Sequence, residues 1–310
     1  MERALAAVLG VDEVTNLKRL SGGASRDTFS FEADARPLIL QRQRVAGMRD
    51  FTTESALLTE ARKAGVPVAA VLATDADATD AQRDAIGAAF MVVEHVAGQT
   101  IARKILRDDE FAGARPKLAR QCGEALAGIH AIPVDAVPGL HATDQVEQFR
   151  VAHDSLRVPS PAFELGFRWL EANRPASDRT TVVHGDFRLG NLIIDRNGLA
   201  AVIDWELGHL GDPMEDLGWL CTKAWRFGNK PRVGGFGDVD DLVAAYEASA
   251  ETIVDRNALL WWEVLGTLKW GVMCNMQANA HLSGMVRSVE LAMIGRRVAE
   301  QEHDLLLLLP

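Results

Sequence analysis

Between the short β-branched and aliphatic runs Val182-Val183 and Leu192–Ile194 the chain places His184, Asp186 and Asn191 within eight positions, in the stretch HGDFRLGN. Asp204 follows eighteen residues after Asp186, at the end of another aliphatic run, in VIDWE. These residue types suit chemistry on a phosphate ester. The charges on such an ester repel a nucleophile unless a cation neutralises them, and magnesium prefers hard oxygen ligands such as carboxylates and amide carbonyls. Asn191 and Asp204 offer one of each. A carboxylate kept off the metal, Asp186, can accept the proton of an attacking hydroxyl.

The pattern His184-x-Asp186-x-x-x-x-Asn191 has the spacing of a kinase catalytic loop, and the hairpin that should follow it ends on Asp204. HGDFRLGN followed by VIDWELGHLGDPMEDLGWL resembles the aminoglycoside phosphotransferase family, which includes choline-kinase-like enzymes and has a protein-kinase-like fold. Weaker similarity runs through RLSGGASRDTF, MVVEHVAGQTI and LAGIHAI. The resemblance implies Asp186 as the catalytic base, Asn191 and Asp204 as magnesium ligands, and Asp216 as an acid bracing the catalytic loop. It also implies a hinge at Glu94, His95 and Val96 whose backbone meets the adenine of ATP.

In the first part of the chain, the Gly-rich turn Ser21 to Ser25 has backbone N–H groups suited to a β-phosphate, with Ser25 as an extra donor. A strand cation should grip the phosphates and pair with a helix Glu, expected to be Glu54 with Glu60 as the alternative. The resemblance puts an Arg where this chain has Gln41, so the cation is expected at Arg42, with Arg44 the next candidate. Alternate strand residues face opposite ways, so Arg42 needs a shifted register or a bulge to serve.

Positioning these groups requires two textures. Before residue 95 short apolar stretches read as strands, at Phe29 to Phe31, Leu38 to Leu40 and Ala89 to Val93, and one helix starts near Thr52. After Gly98 the patterns are helical, from Arg115, Pro161, Glu215 and Asn257. Two short strands interrupt them, joined by a turn whose Asn197-Gly198 pair suits positive φ. The expected fold is α+β and bilobal: a β-rich, nucleotide-covering N-lobe over residues 1–95 and a mainly helical C-lobe over 96–310.

A 310-residue chain that is 48% hydrophobic can build such a core, and a net charge of −10 argues against a nucleic-acid surface. Three scattered cysteines suggest neither a disulfide framework nor a zinc site, and no segment reads as a signal peptide or membrane anchor, so a cytoplasmic protein is expected. The leucine run at 305–309 reads as the last turn of a docked helix. His130 reads as a packed helix-end residue.

Six of the seven tryptophans follow the catalytic loop, and Trp262, Gly266 and Trp270 share a helix face. Core packing explains them, or else a wall for an apolar hydroxyl substrate, helped by Lys269, Asn275, Gln277 or His281. The stretch WRFGNKPRVGGFG is basic through Arg226, Lys230 and Arg232, which suggests an anionic acceptor, such as an acyl thioester, or solvated charge. The leading expectation is ATP- and magnesium-dependent phosphorylation of a small-molecule hydroxyl. The alternative, drawn from Gln41, is a nucleotide-binding sensor without transfer activity.

Overall fold

The computed structural model describes residues 1–20, 26–43, 51–176 and 179–309. The chain opens with α1 (Glu2–Leu9) and builds a five-stranded antiparallel sheet from β1 (Val14–Arg19), β2 (Arg26–Ala33), β3 (Arg36–Gln43), β4 (Val71–Thr74) and β5 (Phe90–Glu94), ordered β1-β2-β3-β5-β4. Helices α2 (Phe51–Lys63) and α3 (Asp80–Ile86) complete this lobe.

Strand alternation sorts its side chains onto two faces. Phe29, Phe31, Leu38, Leu40, Phe90 and Val92 pack outward with Leu5 and Ile86 from α1 and α3. Ile39, Met91 and Val93 pack inward with Leu57, Leu58 and Ala61 of α2, in a core continuous with the large lobe. Position 41 therefore shares the inner face with Ile39, and position 42 shares the outer face with Leu40.

The large lobe comprises α4 (Ala102–Arg107), α5 (Arg115–His130), α6 (Gln145–Leu156) and α7 (Pro161–Ala172), then the short strands β6 (Thr181–Val183), β7 (Leu192–Ile194), β8 (Leu199–Val202) and β9 (His209–Gly211). It ends with α8 (Met214–Cys221), α9 (Val239–Ala250), α10 (Arg256–Leu282), α11 (Val289–Gly295) and α12 (Val298–Leu308). The β7–β8 hairpin turns on Asp195, whose Oδ1 accepts the N–H groups of Asn197 (2.6 Å) and Gly198 (3.0 Å), and Gly198 takes φ 134°. The expected hairpin is present; β6 and β9, three residues each, have too little periodicity to be seen in sequence. The helix expected from Glu215 to Phe227 is broken. It stops at Cys221, because Thr222 turns extended and bonds back to the Gly218 carbonyl.

α10 runs through the lobe's centre, packed by α6, α7, α8, α11 and α12. Leu305 of α12 is fully buried against it, as expected for a docked terminal helix, while Leu306 and Leu307 are exposed. Cys122, Cys221 and Cys274 are buried free thiols. Among the described residues no helix is long and apolar enough to cross a membrane.

The basic loop after α8 is held from below. The fully buried Glu263 of α10 receives Arg226 (2.7 Å) on one carboxylate oxygen and Arg232 on the other. Burial pushes the Glu263 carboxyl up, and the two guanidiniums oppose that shift. Two of the three charges that suggested an anionic acceptor are thus neutralised inside the fold. Glu263→Ala strands Arg226, which is nearly buried, while Arg232 at 48% exposure can turn to water. Chemical unfolding should show a loss of about 3 kcal/mol, with unchanged stability contradicting the role assigned to this triad.

Candidate active site

The catalytic loop hangs from one buried carboxylate. Asp216, in the first turn of α8, accepts the His184 N–H on Oδ2 (2.7 Å) and the Gly185 N–H on Oδ1 (2.9 Å). His130, from the end of α5, reaches Oδ2 through Nε2 at 3.2 Å, and its Nδ1 meets the Tyr246 hydroxyl at 2.9 Å. Burial alone would raise the Asp216 carboxyl; His130, His184 and the backbone donors outweigh it and hold it below the usual range. Gly185 takes φ 79°, and a Cβ there would lie 2.6 Å from the Leu207 carbonyl, so the loop admits no side chain between His184 and Asp186.

His184 ties the loop to the next strand. Its Nδ1 accepts the Asp186 N–H at 3.2 Å, and its Nε2 donates to the Ile203 carbonyl at 3.1 Å, so the ring is a neutral spacer. Burial lowers its pKa, consistent with that tautomer.

Asp186 is clamped on both oxygens. Oδ1 accepts Trp219 Nε1 at 2.8 Å and Arg188 Nε at 2.9 Å; Oδ2 accepts Asn191 Nδ2 at 2.6 Å and Arg188 Nε at 3.1 Å. Asn191 Nδ2 also donates to the Asp186 carbonyl at 3.0 Å, which leaves its Oδ1 as a hard acceptor. Trp219 is steadied from its other side by Lys269, whose ammonium lies 4.9 Å from the ring centroid. That ammonium also bonds Gln145 (3.1 Å) and Glu215 (3.3 Å) in the core. Lys269 therefore props the site from behind, which accords with the core-packing reading rather than with the alternative of an acceptor wall. His281 closes a turn by accepting the Ser288 N–H.

Asp204 sits at a left-handed backbone position (φ 68°) at the end of the hairpin. Burial first, then Glu206, Asp186 and Glu54, push its carboxyl up to about 7, with Arg26 opposing. Acidic groups thus converge there with one cation beside them. No group of three or more His, Cys, Asp or Glu residues forms a closed metal cage among the described residues. Magnesium commonly takes only one or two protein carboxylates and fills its shell with water and phosphate oxygens, so Asp204 and the Asn191 amide oxygen fit it.

The other expected residues divide. Glu54 is buried in α2 and bonds a strand arginine, but that arginine is Arg26 of β2, at 2.8 and 2.6 Å. Arg42 is corrected: it lies on the sheet's outer face, bonded to Asp27 (3.1 Å) and the Ile86 carbonyl (2.9 Å) and stacked on Phe29. The β2–β3 register pairs Asp27 directly with Arg42, and no bulge turns it inward. Glu60 pairs with Lys63 on the surface. Ser25, its Gly-rich turn and Arg44 lie outside the described residues.

At the hinge, the Glu94 carboxylate points away to Arg36 (2.6 Å) and the Ala70 N–H. The His95 and Val96 N–H groups have no partner among the described residues. Just beyond, Gly98 at φ 152° lets the chain press against Ile194, with which Gln99 exchanges two backbone hydrogen bonds of 2.9 and 3.0 Å.

Beside the base, Trp219, Trp225 and Trp270 pack with their rings tilted at 59° and 55° and centroid separations of 5.0 and 4.8 Å, and Arg188 lies 4.8 Å over Trp225. Gly266 lets α10 approach Trp219 closely, and Trp262 packs instead against Trp261. The stack adjoins a cavity of about 970 Å³ lined by Ile101, Arg103, Lys223, Arg226, Arg297 and Asp304, among others. Arg26, His130, Arg188 and Trp219 were not assigned site roles from sequence. Arg26 directly follows the Gly-rich turn and Trp219 stands three residues beyond Asp216, spacings that carried the signal.

The family model described as the phosphotransferase enzyme family matches residues 16–252. Among curated proteins, mouse acyl-CoA dehydrogenase family member 10 is 29% identical over 260 residues, 77% of this chain and 23% of that protein. Mouse acyl-CoA dehydrogenase family member 11 is 28% identical over 234 residues, 67% of this chain and 28% of that one. The chain thus spans about a quarter of the length of these relatives. Among solved structures, a candidate aminoglycoside phosphotransferase from Ralstonia eutropha superposes with a TM-score of 0.78 at 20% identity, over 99% of this chain and 97% of that one. A thermostable mutant of the aminoglycoside phosphotransferase APH(4)-Ia, in ternary complex with ADP and hygromycin B, gives 0.66 at 16% identity, over 98% of each chain. A choline/ethanolamine kinase family protein from Mesorhizobium loti gives 0.64 at 20%, over 93% and 87%. With a protein-kinase-like fold and a family match over most of its length, the chain belongs to the phosphotransferase enzyme family.

Proposed function

We propose that this protein transfers the γ-phosphoryl group of ATP, with magnesium, to a hydroxyl of a small molecule. The observation that carries the reading is the clamp on Asp186: Asn191 spends its Nδ2 on Asp186, which leaves its amide oxygen as an acceptor, and the Ile203 N–H on the Asn191 carbonyl (3.0 Å) brings the neighbouring Asp204 alongside. Residues 1–95 cover the nucleotide, the Glu94–Val96 backbone meets adenine, and residues 96–310 carry the catalytic loop and acceptor. Magnesium, held by Asn191 and Asp204, supplies charge neutralisation of the phosphates. Asp186 receives the acceptor hydroxyl and its proton. Most of the rate enhancement comes from positioning and fixed charge.

The acceptor proposed is an anionic, acyl-thioester-like alcohol lying in the cavity beside the tryptophan stack. An amino sugar needs several uncommitted carboxylates, and Asp304 and Glu300 there are paired with Lys223 and Arg297. Arg103 lines the same cavity with no ion-pair partner among the described residues, and the Arg188 guanidinium links the base to Trp225. Nucleotide binding without transfer is the second reading, and Gln41 favours it.

Incubation of the protein with magnesium–ATP and a pool of hydroxylated metabolites, including hydroxyacyl thioesters and aminoglycosides, should yield a phosphorylated thioester detectable by mass spectrometry. Asp186→Asn should cut that product about 1,000-fold while nucleotide binding persists. A wild type that binds ATP and phosphorylates nothing in the pool would favour the sensor. A second expectation concerns the metal: ATP should raise the thermal midpoint more with magnesium than with EDTA, and Asp204→Ala should remove that difference.

A further inference from the structure

We infer that Arg26 is the cation that grips the nucleotide's phosphates, the charge having moved from the central strand β3 to its neighbour β2, with Glu54 as its orienting partner. The inference rests on the nucleotide site proposed above and assigns a residue to it.

The need arises at position 41. That site lies on the sheet's inner face, toward α2, and holds a neutral glutamine. Arg26 occupies the same face one strand over, since β2 and β3 pair antiparallel with Thr28 opposite Gln41 and Arg26 opposite Gln43. A long side chain crosses such a diagonal, and Arg26 does so. Its Nη1 donates to Glu54 Oε1 at 2.8 Å and its Nη2 makes an ion-pair contact of 2.6 Å with Oε2, between side chains only 12% and 2% exposed. Nη1 also reaches the Gln41 Oε1 at 3.4 Å. A second cation at 41 would stand against this guanidinium, so a glutamine that accepts a hydrogen bond is the electrostatic complement of Arg26.

The placement continues toward the chemistry. Arg26 Nε stands 3.5 Å from Glu206, two residues beyond Asp204, and the Asp204 charge also acts on the guanidinium. The Phe51 ring, 5.0 Å from the guanidinium carbon, limits its swing. Of the five guanidinium N–H groups, the two on Nη1 go to Glu54 and Gln41, Nε–H faces Glu206 at 3.5 Å, and neither Nη2 N–H makes a hydrogen bond among the described residues. In sequence, Arg26 directly follows Ser21 to Ser25, the turn expected over the phosphates. Arg42, by contrast, is spent on the outer face.

Calorimetric titration of adenosine, ADP and magnesium–ATP into wild type, Arg26→Met and the exchange variant Arg26→Gln/Gln41→Arg tests this. Arg26→Met should weaken ADP and ATP about 10- to 100-fold and leave adenosine unchanged. The exchange variant, with one cation restored to the same face, should recover the wild-type preference for ADP over adenosine. If Arg26→Met is too unstable to titrate, the exchange variant decides alone. Equal losses for adenosine and ADP, no loss at all, or a folded exchange variant without ADP preference would overturn the assignment. A wild type that binds neither ADP nor ATP would instead remove the kinase reading on which it rests.

Discussion

The site depends on a single carboxylate in a place where water does not reach. Asp216 accepts two consecutive backbone N–H groups from the turn that carries Asp186. A buried ion costs several kcal/mol to desolvate unless its lone pairs are met, so the fold must deliver donors from elsewhere. It does so with His130 from α5, itself fixed by Tyr246 of α9. The packing of α5 on α9, tight enough that Gly123 meets the Leu242 carbonyl, is thereby transmitted to the catalytic loop. A sheet-free part of the protein sets the position of a base it does not touch.

The charge distribution around the base follows the same logic of offset and deficit. Away from the cleft, buried charges are closed: Glu263 with two arginines, Lys269 with Glu215 and Gln145. Within the cleft Asp204, Asp186, Glu206 and Glu54 converge beside Arg26. Core ion pairs are complete in themselves, and Asp186 has Arg188, whereas the Asp204 carboxyl has no hydrogen bond or ion pair among the described residues and is left to share with an incoming cation.

Much of this was legible because it is local. HGDFRLGN and the hairpin after it lie within two dozen residues, and their roles follow from spacing. The inner and outer faces of β3 follow from alternation, which also correctly warned that Arg42 points the wrong way without a bulge. What was not legible depends on pairing across the chain. Arg26 meets Glu54 only after β2 and α2 pack, and the sequence shows no register between them. His130 lay in a helix end indistinguishable from ordinary core until α8 arrived beneath it. The loop from Trp225 to Gly237 read as basic because its counter-charge, Glu263, sits in another helix.

Helix α8 touches the base twice. Asp216 holds the backbone N–H groups of His184 and Gly185, and one turn later Trp219 holds the Asp186 carboxylate itself. Residues three apart lie on one helix face, so both contacts ride on the same rigid rod. A small slide of α8 carries the loop and the side chain together and leaves their mutual geometry intact. Inserting or deleting one residue between positions 216 and 219 would rotate one contact away by about 100°, making the length of this single turn less free to vary than any residue within it.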